Sequence, residues 1–312
     1  MQDRFSHNLD LPFMEEGKSP IPLAIAVIMQ YWGENIINSE KNIGPKNSIN
    51  IIDGIELAEK KHYSSYIYRS SLKDIKKRID QGIPPIVIFP GLHYLTQHAL
   101  LISGYDENEK RIISYVPQPD TNGSIPESKF TSEWIQEDNI VIIIVPDDMG
   151  TLFSKSDIDS TKAFKLCFKA EKDFSNGDLE AAITKTNQSI AMNKNNSFAW
   201  TLLGSCYSET NNPECINCFS ESIKLNRNYY LAYKGLGNFY LKIKDYHKAE
   251  KYYSQAIDIN PNRYVSLFKN RAVSRLQLNE KIKAKQDLLL YLEKTPNAKD
   301  KKQITEFLET LE

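Results

Sequence analysis

Two patterns of apolar and polar positions divide the chain. In the first, Ser19 to Gly33 reads as a helix with clean ends: Ser19 suits the N-cap, Pro20 the first helical position and Gly33 the stop. Its apolar residues run all the way round, so the helix is expected to be buried. Asp53 to Lys61 and Ser71 to Gln81 suit two further helices, and Ser71-Leu72-Lys73-Asp74 fits a capping-box opening. Strands follow over 85–89, 98–103, 111–116 and 140–145. A helical front followed by an antiparallel sheet predicts an α+β domain, helices packed on the sheet.

The second pattern is a repeat. Tyr233, Leu236, Gly237, Tyr240, Ala249, Tyr253, Ala256 and Pro261 recur as Trp200, Leu203, Gly204, Tyr207, Cys215, Phe219 and Ser222 in the copy before, with its inter-helix turn one residue short. In the copy after, the places are held by Phe268, Arg271, Ala272, Arg275, Ala284, Leu288, Tyr291 and Pro296. A weaker first copy runs from Ala163 through Ala170, Ala182 and Ser189 to Lys194. Small residues at the eighth and twentieth positions let paired helices approach, and large ones fill the gaps. Each pair leaves an apolar face that a neighbour must cover. The pattern resembles the tetratricopeptide repeat family and implies an all-α solenoid. The expected organisation is a first domain over 1–148, a linker over 149–162, about four repeats over 163–298 and an end helix over 299–312.

Charge sharpens the division. The net formal charge is −1, which argues against nucleic acid as a partner. Residues 1–150 carry 14 Lys and Arg against 21 Asp and Glu, and residues 151–312 carry 25 against 19. An acidic half is joined to a basic one, and docking between them is expected. No apolar run reaches membrane-spanning length. The start Met1-Gln2-Asp3-Arg4 has no hydrophobic signal core, which fits a cytosolic chain or one whose leader has been removed. All four cysteines, Cys167, Cys206, Cys215 and Cys218, lie in the second half. The C-x-x-C of Cys215 and Cys218 lacks the second pair a zinc site needs, so buried thiols on a helix are expected, with no metal or cofactor.

Binding in such arrays lies on the concave face, lined by the first helix of each pair. Lys234 and Asn238 hold the fifth and ninth positions of the third copy, and Asn270 the sixth of the fourth. An ammonium and two amides converging on a carboxylate resemble part of the clamp by which some tetratricopeptide proteins hold a peptide C-terminus. The clamp's further basic residues would fall in a fifth copy, which the sequence lacks. Solvated polar residues on an exposed helix are the plainer account.

In the first half, Leu11-Pro12-Phe13 precedes Pro22-Leu23-Ala24 and Tyr31-Trp32-Gly33; His98 precedes Gly104-Tyr105-Asp106; Phe130 and Trp134 precede the last strand. These residues resemble the bacteriocin-processing (double-glycine leader) cysteine peptidases over about residues 8–146. That resemblance implies a papain-like fold, and one branch of that family carries tetratricopeptide repeats and is often exported as lipoproteins. The chemistry does not follow. The register puts Pro20 where the family has its cysteine, Glu15 or Glu16 near its oxyanion glutamine, and Val116 at its aspartate. His98 alone remains, and no cysteine precedes Cys167. His93 reads as a loop histidine. The expectation is a peptide- or protein-binding adaptor, using the concave face and the remnant cleft. The alternative is a hydrolase with Ser19 as nucleophile and His98 as base.

Overall fold

The computed structural model describes residues 6–13, 23–34, 51–90, 97–116 and 122–310. These form two compact units, one from the residues up to 90 together with 98–195, the other from 196 onward.

The first unit is built on a seven-stranded sheet. Its strands are β1 (Ser6–Asn8), β2 (Tyr63–Arg69), β3 (Ile86–Pro90), β4 (Gln97–Asp106), β5 (Arg111–Tyr115), β6 (Asn122–Pro126) and β7 (Ile140–Pro146). The order is β2-β7-β3-β4-β5-β6, with β1 also paired to β4. β7 runs antiparallel to both β2 and β3, in register Ile67↔Ile142 and Ile86↔Ile142. Being central, it is buried from Ile140 to Val145, which explains its unbroken apolar run. Helix α1 (Leu23–Tyr31) has every residue from Ala24 to Met29 buried, as its apolar circumference predicts. Trp32 Nε1 donates to the Ile144 carbonyl at 3.1 Å, tying the helix end to the sheet, and Tyr31 Oη donates to that of Gly82 at 3.1 Å, in the turn that follows residue 80. Helices α2 (Ile51–Lys60) and α3 (Leu72–Asp80) follow the expected spans, and Ser71 caps α3 through the Asp74 amide.

Strands β1, β2 and β6, and helix α4 (Glu127–Trp134), stand outside the sequence expectation. The turn from α2 into β2 places His62 at φ 63, so no glycine marks it. The expected linker over 149–162 is regular structure instead. A 3-10 turn covers Asp147–Leu152, and α5 (Lys155–Ser175) starts well before the first repeat residue Ala163. The cause is local: Ser154 and Asp157 form a reciprocal capping box. With α6 (Leu179–Met192), α5 makes the first helical pair, and this pair belongs to the sheet unit. Thr161 Oγ1 accepts from the Ile67 amide at 2.8 Å, so α5 covers the free edge of β2. Lys165, Lys169 and Lys172 of α5 meet Glu59, Glu56 and Asp53 of α2 in three successive ion pairs.

The second unit is three further helical pairs and an end helix: α7 (Ser197–Glu209) with α8 (Cys215–Leu225), α9 (Tyr230–Lys242) with α10 (Tyr246–Ile259), α11 (Ser266–Gln277) with α12 (Lys281–Lys294), then α13 (Lys301–Glu309). Close approach explains the small residues. A methyl at Gly237 would lie 2.6 Å from the Tyr253 ring, and one at Gly204 2.8 Å from Phe219. Each pair turns through one left-handed residue: Gly177 in the first unit, then Asn211, Lys244 and Asn279. All four cysteines are buried free thiols. Burial pushes Cys206 and Cys215 up to about 11 and Cys218 to about 12, so they pack as small apolar groups. Among the described residues no helix is long and apolar enough to cross a membrane.

Candidate peptide-binding site

The second unit brings the three polar residues singled out by their repeat positions onto neighbouring helices. Lys234 and Asn238 lie one turn apart on α9, and Asn270 lies on α11. The Tyr253 hydroxyl, reaching from α10, joins the two amides. It donates to Asn238 Oδ1 at 2.9 Å and is hydrogen-bonded by the Asn270 side chain. Burial pushes the Tyr253 phenol well above its ordinary value, so it stays a neutral donor. Asn238 is exposed, and with Oδ1 engaged its Nδ2 donors are left for a ligand.

Lys234 is half-buried. Its ammonium lies 3.6 Å from the centre of the Tyr264 ring, a cation–π contact. Burial pulls its pKa down; Tyr264 opposes this and Arg263 adds to it. A desolvated cation beside a second cation gains more from an arriving anion than a solvated lysine would.

Under this surface the last pair has arginines where the preceding copies have Leu and Tyr. Arg271 makes a two-pronged bond to Asp287 at 2.9 and 2.7 Å. Arg275 reaches Asp287 at 2.8 Å and Glu250 at 2.8 Å. Asp287 is fully buried, and the two guanidiniums share its charge. Arg271 also donates to Ser254 Oγ at 3.0 Å, next in the chain to Tyr253. The cluster holds α10, α11 and α12 together beneath the asparagines. Repeat periodicity alone did not disclose Tyr253 as an organiser, because the position normally carries a packing residue. The available signal was its hydroxyl, which Phe219 at the same place in the preceding copy lacks.

Most of the residues expected to serve hydrolysis fall where the structure is not described. Ser19, Pro20, Glu15, Glu16 and His93 lie outside the described residues. His98 is the second residue of β4, and Val116 follows β5. Phe130 and Trp134 are fully buried on α4, Phe130 stacked on Phe89 of β3 and Trp134 Nε1 donating to the Ile140 carbonyl at 3.0 Å.

Residues 230–263, the α9–α10 pair, match the family model described as tetratricopeptide repeat. That pair is a tetratricopeptide repeat, and the helical region around it is tetratricopeptide-like. This supports a protein-interaction or adaptor role. Among solved structures, the chain is similar to a crystal structure of MamA protein, at 21% identity and a TM-score of 0.40, over 46% of this chain and 76% of that one. It is similar to the first TPR of Spaghetti (RPAP3) bound to the HSP90 peptide SRMEEVD, at 23% and 0.38, over 39% and 98%. A third is PilF of Pseudomonas aeruginosa, at 15% and 0.45, over 49% and 69%. No curated protein matches the chain.

Proposed function

We propose that the chain is an adaptor whose repeats hold the C-terminal carboxylate of a partner peptide. Lys234 supplies the charge, and the Asn238 and Asn270 amides supply directed donors. The observation that carries this reading is the Tyr253 hydroxyl bonded to both asparagines, which draws side chains from α9 and α11 to one point. A carboxylate accepts such donors in a charge-assisted way, which a neutral terminus cannot do. The test is fluorescence anisotropy with peptide pairs that differ only in a free carboxylate or a carboxamide end. Tight binders should lose about tenfold or more on amidation and on Lys234→Ala, the worth of a charge-assisted bond. Equal affinity for both ends would remove the clamp.

For the sheet half we propose the peptidase-like fold that its motifs resemble, used to hold an extended chain rather than cut it. What supports this is the order of helices α1 to α3, interrupted by β2, before strands β3 to β7 of an antiparallel sheet, and His98 in β4 ahead of Gly104-Tyr105-Asp106 at its end. The competing hydrolase reading is tested with a fluorophosphonate probe: labelling of Ser19 that disappears in His98→Ala would establish it.

A further inference from the structure

A cavity of about 720 Å³ opens between the start of α11, the end of α12 and the turn into α13. It is of ordinary ligand-pocket size. Three lysines line it, Lys269, Lys294 and Lys299, against one carboxylate, Asp300. That carboxylate is already matched. Lys269 Nζ lies 2.7 Å from it and Tyr291 Oη donates to it at 2.9 Å. The bond from Lys269 holds the Asp300 carboxyl below its ordinary range. Lys294 Nζ donates at 2.7 Å to the uncharged Asn262 Oδ1, and Lys299 is exposed. The lining therefore carries two positive charges beyond its own compensation. Tyr264 and Tyr291 wall it, and Ser266 and Thr295 add hydroxyls.

We infer that this cavity binds a phosphomonoester dianion on a side chain of a partner peptide. Two uncompensated ammoniums match a group of about two negative charges, whereas one carboxylate would leave an ammonium over. The volume exceeds a phosphoryl group and admits the side chain carrying it. Tyr264 gives continuity: one ring walls the cavity and underlies Lys234. A peptide lying along α9 and α11 can therefore reach into it. The site stands apart from the carboxylate clamp and does not depend on it.

The test is calorimetric titration of the full chain with an amide-terminated peptide bearing one phosphoserine, the same peptide with Glu there, and inorganic phosphate. Amidation takes the clamp out of the measurement. The phosphopeptide should bind saturably, about tenfold more tightly than the Glu peptide, and more tightly as pH rises past the second phosphate ionisation near 6. Lys294→Ala with Lys299→Ala should weaken it about tenfold per lysine, and Lys224→Ala, an exposed lysine on α8 outside both sites, should leave it within twofold. Circular dichroism checks that the double variant is folded. Equal binding of the Glu peptide, no loss in the double variant or no saturable binding overturns the inference. Inorganic phosphate binding as tightly as the phosphopeptide overturns the peptide source.

Discussion

At the scale of single residues, one hydroxyl organises the candidate peptide site and one carboxylate holds the helices beneath it. Tyr253→Phe keeps the ring that fills the space left by Gly237 but frees both asparagines. Stability should fall by only about 1 kcal/mol, the worth of an ordinary hydrogen bond. Affinity for a free-carboxylate peptide, read by anisotropy, should fall several-fold. Unchanged affinity would show that the amides are placed without Tyr253. Asp287 is the opposite case, because its loss strands the Arg271 guanidinium in the interior and leaves Arg275 with Glu250 alone. Asp287→Ala should cost about 3–5 kcal/mol in urea unfolding. Replacing Arg271, Arg275 and Asp287 together with apolar residues should recover most of that, because the desolvation of three charges goes with them. Lys234, Asn238 and Asn270 were singled out by type and repeat position, and their joint role is the proposal made above. Tyr253, Asp287 and the cavity lysines were not, since their partners come from other helices.

At the scale of elements, the helical pairs were legible because each needs the same small residues at the same close approach. Four strands of the sheet were legible from their runs of apolar and β-branched residues, the buried β7 most clearly. β2 escaped because Tyr63-Ser64-Ser65-Tyr66 is half polar and a left-handed His62 leads into it. The start of α5 escaped because its capping box falls where the repeat pattern has not begun. Once folded, α5 lies against β2 and α2, and this gives it a titrating group. Burial, and behind it the Glu137 carboxylate, push Glu171 up to about 7. A carboxyl raised above its unfolded value of 4.5 binds its proton more tightly in the folded state. Its contribution is full below pH 4.5, declines as pH rises, and is gone above about 7. Urea midpoints should fall between pH 5 and 7.5, by up to about 3 kcal/mol from this group. Glu171→Gln should flatten that slope; an unchanged slope would place the titration elsewhere.

At the scale of the whole molecule, the opposed charges of the two halves acquire a location. Asp53, Glu56 and Glu59 from the acidic half meet Lys172, Lys169 and Lys165 from the basic half, and all six belong to the sheet unit. Residue 150 therefore divides composition rather than structure. The first repeat pair completes the sheet: Thr161 occupies backbone groups of β2 that would otherwise form an open edge, and Lys165 meets Glu59, which also accepts from Ser65 on β2. A fragment ending at residue 150 should expose that edge, lose all three ion pairs and aggregate or melt without cooperativity. A fragment ending at residue 195 should melt as one cooperative unit, followed by circular dichroism. Each pair is partly exposed and worth at most about 1 kcal/mol, so raising salt to 1 M should lower the longer fragment's melting point by only a few degrees. Lys169→Glu with Lys172→Glu turns two attractions into repulsions and should lower it further, in a salt-dependent way. A shorter fragment as stable as the longer one would mean that α5 leans on the sheet without supporting it.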